Sequence, residues 1–195
     1  MNRWMIFLCL AVPFAFCKHK KKPANANSDG AFFPVVSFIK GQVKDIDTSL
    51  YRIIKIETTD NRIDTQYIKR EDFKTYAKDF TSLPDISSEK IKDDYTETKT
   101  YDDVLKSFIL TYTTDVKDNE IQKEDVMIDP EPDENGNSKV KSIIIDEWPN
   151  HGDTIIHKSL LWQTNKRFLV VTKIDAPGAP EKITRLEVVW NDFNP

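Results

Sequence analysis

Only two of the 195 residues are cysteine, and both, Cys9 and Cys17, fall within the first seventeen. Everything after residue 17 is therefore outside disulfide, thiol-nucleophile and cysteine-ligated metal chemistry. Glycine is scarce too. The five glycines form neither a phosphate-cradling loop nor a Gly-x-Ser-x-Gly elbow, and with ten prolines they argue against a fibrous or low-complexity chain. Long hydrophobic runs are also missing. The longest uncharged apolar stretch, Trp4 to Phe16, has thirteen residues. As a helix it would reach ~20 Å against a hydrocarbon core of ~30 Å. Pro13 interrupts it further, so it reads as a brief secretory leader rather than a stable span.

Charge is distributed unevenly. The formal total is -4, but residues 1 to 22 hold five Lys/Arg and no acid, which leaves 23 bases against 32 acids in the remainder. A body of that sign repels phosphate backbones at long range, so nucleic acid is not an expected partner. Hydrophobic residues make up 39% and aromatics 11%, enough for burial to offset chain entropy in one ordinary domain.

The leader ends in Phe14-Ala15-Phe16-Cys17. This quartet resembles the lipobox of bacterial lipoproteins, in which the cysteine thiol is acylated and becomes the first residue of the mature chain. Ala15 fits that pattern; Phe16 stands where the family usually has a small residue, and a leader without lipidation or an uncleaved signal anchor is the alternative reading. The resemblance implies residues 1–16 as signal peptide, Cys17 as the lipidated residue, and a cell-envelope protein. With "KHKKKPANANSDG" after it, Cys17 opens a basic and then polar tether over residues 17–30. Its lysines, Lys18 and Lys20 to Lys22, suit anionic headgroups, each contributing ~1 kcal/mol close to the surface. Surface-exported lipoproteins of the Bacteroidetes type often carry acids just after the cysteine, so by that resemblance the lysines here imply retention on the periplasmic side.

Residues 31–195 read as a single α+β domain. In "PVVSFIKGQVKDI" the side chains of Val35, Phe38, Ile39, Val43 and Ile46 share one helical face, with Pro34 placed for a first turn. In "REDFKTYAKDF" the residues Phe73, Tyr76, Ala77 and Phe80 repeat the i, i+3, i+4, i+7 pattern. "SLYRIIKIETT" and "RIDTQYI" read as a hairpin about Asp60-Asn61, and strands succeed one another from Tyr95 onward with turns at Asn135-Gly136, Asn165-Lys166 and Pro177-Gly178. Short connections make neighbours antiparallel. The expected architecture is an antiparallel meander of six to nine strands with two N-terminal helices packed on it. Leader included, the pattern resembles uncharacterised Bacteroidetes-type lipoproteins, most locally in "LLWQTNKRF" and the terminal "LEVVW". That resemblance carries no activity.

Chemical motifs are few. "HGDTIIH" brings His151, Asp153 and His157 together in sequence, but two histidines six apart on a strand lie ~20 Å apart unless the chain bends at Gly152. "DPEPDENGNSK" alternates Glu131, Asp133 and Asn135 before Gly136, yet Ser142 stands where a calcium loop needs its bidentate glutamate. An acidic hairpin tip explains it, so neither a metal nor another cofactor is called for. Among the aromatics, Trp148, Trp162, Trp190, Phe168 and Tyr112 are either core or a ligand platform. Trp148 is the best candidate for a ligand contact, since Pro149 and a polar loop come directly after it. The expectation is a lipid-anchored, non-enzymatic binding module whose partner is an envelope protein, a glycan or a lipid. The alternatives are a glycan or lipid carrier with an aromatic-lined cavity, and a carboxylate-dependent hydrolase.

Overall fold

A computed structural model describes residues 31–60 and 62–191. The leader, Cys17 and the basic tether lie outside the described residues. The described residues open with a helix, α1 (Val35–Thr48), followed by the strands β1 (Ile53–Thr59) and β2 (Arg62–Ile68) and two short helices, α2 (Arg70–Tyr76) and α3 (Lys78–Thr81). A 3-10 turn at Lys92–Asp94 leads into β3 (Tyr95–Asp102), β4 (Ser107–Thr114), β5 (Ile121–Ile128) and β6 (Val140–Glu147). The chain finishes with β7 (Asn150–His151), β8 (Thr154–Gln163), β9 (Arg167–Asp175) and β10 (Lys182–Val189).

Mostly β, the structure is one antiparallel sheet in the order β2-β1-β10-β9-β8-β6-β5-β4-β3, with the two-residue β7 paired to β8. From β3 to β10 it is a meander, as the short turns demand. Local pattern does not foretell how it ends: the N-terminal hairpin adds to the C-terminal strand, β1 pairing with β10 from Ile54↔Val189 to Thr59↔Thr184.

The helices differ from expectation in one respect. α1 forms through Gly41 and buries Val35, Ile39, Val43 and Ile46, with Pro34 just outside as its N-cap. The second amphipathic stretch breaks at Ala77, which has φ -81° and ψ 4°, so α2 and α3 are separate turns. Here Phe80 N–H bonds back to Ala77 O across three residues rather than four. Phe73, Ala77 and Phe80 all remain fully buried across the break. Burial of the aromatic pair overrides the regular helix.

One cluster of buried residues runs from Phe32 to Trp190 and includes side chains of α1, α2, α3 and the sheet. Its centre is a cross-strand row in which Val188, Phe168, Trp162, Ile143 and Val126 face one another in register. Phe73 and Phe80 meet Trp162 edge-on at centroid distances of 6.4 and 5.2 Å. On the connection before β3, Ile86 adds a fully buried anchor to this cluster. The sheet thus has an inner, helix-facing side, and the outer side carries ion pairs such as Arg167 and Arg185 on Glu187, both at 2.8 Å.

Candidate functional site

The inner face changes character one residue pair beyond its hydrophobic rows. Strand pairing aligns Thr59, Thr184, Thr172, Lys158 and Glu147 across β1, β10, β9, β8 and β6. Since side chains alternate along each strand, this polar row continues the face occupied by Leu186, Val170, Leu160 and Ile145. Two clefts open along it. One, of about 460 Å³, is lined by Asp79, Ser82, Leu83, Asp118, Glu120, Glu147, Pro149 and Lys158. The other, of about 300 Å³, includes Glu57, Thr59, Thr172, Thr184 and Leu186, and the two share Asp79.

Lys158 organises the first cleft. Its Nζ donates to Asp79 Oδ1 at 2.9 Å and to Glu147 Oε1 at 3.5 Å. Burial would pull the Lys158 ammonium down, but the two carboxylates outweigh it and the net shift is upward. Glu147 is only 3% exposed, and its Oε2 has no hydrogen-bond partner. Burial pushes its carboxyl up to about 7, with Lys158 pulling the other way and Glu120 and Asp79 adding to the rise. The site is therefore an acidic trough in which Lys158 sits between two carboxylates, one of them near its titration point.

Comparison with protein-family models, curated proteins and solved structures finds no match. The reading of the trough rests on its own geometry.

Of the residues singled out from the sequence, Trp148 is 45% exposed. It stacks on His157, with ring centroids 4.5 Å apart and planes at 22°. His157 Nε2 lies 3.7 Å from Asp146 Oδ1. These three sit on the outer face, by the alternation from Glu147 to its neighbours. Gly152 does bend the chain, with φ 67°, and pairs β7 with β8. Even so, no group of three or more metal-ligating side chains occurs among the described residues. In the acidic tip, Asp133 Oδ1 accepts the N–H groups of Asn135 and Asn137 at 2.9 and 2.8 Å, which lowers its carboxyl from the usual range. The carboxylate is spent on its own loop. Trp162, Trp190, Phe168 and Tyr112 are fully buried, and none of them lines either cleft of the trough.

Lys158 and Glu147 were not distinguished by sequence reasoning. The available signal was a break in apolar alternation: Leu160 and Trp162 point inward, so Lys158, two residues earlier, must point inward as well. Ile145 and Glu147 stand in the same relation on β6.

Among the described residues no helix is long and apolar enough to cross a membrane.

Proposed function

We propose that this chain is a lipid-tethered cell-envelope protein that works by binding, with the acidic trough as its binding surface. The observation that carries the reading is the trough itself: a row of polar side chains at the rim of the helix-facing side, ending in the buried, incompletely satisfied Glu147. Buried polar groups are normally hydrogen-bonded, so an unpaired carboxylate oxygen on a cleft-lining residue points to a missing partner. Binding rather than hydrolysis fits because Lys158 engages both Asp79 and Glu147. Both carboxylates are drawn onto one ammonium, whereas glycoside hydrolysis needs two that flank the scissile bond.

The tether supports the address. Cys17 comes directly after the apolar leader, and the folded core begins at Phe32, whose ring packs 4.7 Å from that of Tyr112. Thirteen residues from Cys17 to Gly30 reach at most ~45 Å, so an acylated cysteine would hold the domain within that distance of the bilayer. Anchoring would raise its effective concentration towards ligands and partners at the same membrane. The expected result is that intact-mass analysis of membrane-extracted protein finds acyl groups on Cys17 at the mature N-terminus. Cys17→Ala should move the protein to the soluble fraction. An unmodified thiol, or a variant that sediments with membranes as before, would refute the anchor.

A second reading has its own observation. Trp148 presents a half-exposed ring held flat by His157, which is the form of a sugar-stacking platform. Under this reading Trp148→Ala should weaken binding of a soluble peptidoglycan fragment at least tenfold while leaving the thermal midpoint within about 2 °C. Equal binding by the variant, or no binding by the parent, removes the platform.

A further inference from the structure

We infer that the trough takes a linear alkylpolyamine, whose ammonium groups pair with Glu147, Glu120 and Asp118 and whose chain runs along the threonine row past Asp79. The inference rests on the reading of the trough as a binding surface and adds the chemical class of its ligand.

Four observations select that class. First, the two clefts carry five carboxylates, Glu57, Asp79, Asp118, Glu120 and Glu147, against two cations, Lys158 and Arg185. Arg185 is already held by Glu187 at 2.8 Å, Lys158 by Asp79 at 2.9 Å and Glu57 by Lys55 at 2.7 Å, so the excess negative charge rests on Asp118, Glu120 and Glu147 and an anionic ligand is disfavoured. Second, Glu147 is buried and its Oε2 unpartnered among the described residues, while Lys158 stands 3.5 Å from the other oxygen. A second ammonium supplies the missing donors, which a neutral ligand without N–H groups does not. Third, the acids do not converge: no group of three or more metal-ligating side chains occurs among the described residues. A divalent ion needs oxygens within ~2.6 Å of one point, whereas a chain of ammonium groups tolerates their spread. Fourth, the lining is long and, among the described residues, lacks a ring. Five strands at ~4.8 Å spacing make a row of ~19 Å, with Leu83, Pro149, Val170 and Leu186 available to methylene spacers and no aromatic side chain for stacking a sugar.

Binding should then carry a proton signature. Lys158 from β8, Asp79 from α3 and Glu120 from the β4–β5 connection face Glu147, and burial holds its proton to near neutral pH. An incoming ammonium displaces that proton, so affinity should be about tenfold weaker at pH 6 than at pH 8.

Calorimetry of the full chain in detergent, titrated with spermidine, tests the inference. One saturable site is expected, weakened at least tenfold by Glu147→Gln and at least threefold by Glu120→Gln, with proton release at pH 6.5 seen as a dependence on buffer ionisation enthalpy. Glu120 lies on a connection, so its variant keeps the test valid should Glu147→Gln fail to fold. Spermidine heats unaltered by both variants would mean diffuse surface attraction and overturn the inference. Calcium competing at the same site would overturn it in favour of a metal. If glucose or citrate bound in a variant-sensitive way and spermidine did not, the ligand class would fall while the trough remained a binding surface. If no probe bound and the variants left every titration flat, both would fall. Membrane release of Cys17→Ala reports on the anchor alone and is independent of each outcome.

Discussion

Trp162→Ala is expected to lower the unfolding free energy by about 4 kcal/mol. Trp162 is fully buried and stands where the sheet and the short helices meet. It stacks on Phe168 at 5.5 Å and 12°, takes Phe80 edge-on at 5.2 Å, and lies 5.4 Å from Trp190. Truncation leaves a void among rings that are themselves held by α2, α3, β9 and the residue directly after β10, so the surroundings cannot collapse to fill it. The control is Trp162→Phe. The indole Nε1 of Trp162 has no hydrogen-bond partner, so removing it relieves an unpaired buried donor and offsets part of the lost volume. Phenylalanine should cost about 1 kcal/mol. Urea denaturation monitored by far-UV circular dichroism, which does not depend on the deleted fluorophore, checks both. A Trp162→Ala loss below about 1.5 kcal/mol would mean that these rings do not form a common core.

The strands were legible because each carries its own period and its own turn. β2 begins and ends at the residues where "RIDTQYI" begins and ends, and β1 ends where "SLYRIIKIETT" ends. Gly136, Asn165 and Gly178 adopt the positive φ values that their turn dipeptides announced. Three things were not legible. The pairing of β1 with β10 joins residues more than a hundred positions apart, and no local pattern encodes a partner. The break at Ala77 is decided by where Phe73 and Phe80 must reach, which depends on the sheet below them. The aromatics could not be sorted by composition: Trp162 and Trp190 are core and Trp148 is surface, although only the Pro149 next to Trp148 hinted at the difference. The trough was missed for a related reason. Lys158 and Glu147 look like ordinary exposed positions until the register shows that their faces are those of Leu160 and Ile145.

Glu124 is the residue most completely hidden from a pattern reading, and it carries the second large prediction. Simple alternation from Ile121 places Lys123 and Asp125 on the same face as Ile121 and sends Glu124 to the opposite one. The pairing of β5 with β6 shifts between Ile121 and Lys123, an irregularity of the β-bulge kind, and Glu124 turns inward with Val126 instead. It is 1% exposed, sits opposite Tyr112 and Ile145, and leaves Oε1 without a partner. Burial, with Asp85 and Asp125 adding to it, pushes the carboxyl up to about 8. At neutral pH the folded protein therefore keeps this proton while the unfolded chain, with an ordinary glutamate, gives it up. For a group raised in the folded state, the associated stability is fully present below the unfolded pKa and is lost as pH rises towards the folded one. The loss should run from about pH 4.5 to about pH 8 at up to ~1.4 kcal/mol per unit. Glu124→Gln removes the titration and keeps the shape, though its amide still wants partners at a cost of about 1–2 kcal/mol. The variant should therefore be no more stable than the parent at pH 4.5, and more stable by about 2–3 kcal/mol at pH 8.5. Denaturant midpoints across that range measure the difference directly, and because every other titrating group is common to both proteins, the gap between the curves isolates Glu124. Parallel curves would show that this carboxyl ionises in the folded state as it does in water.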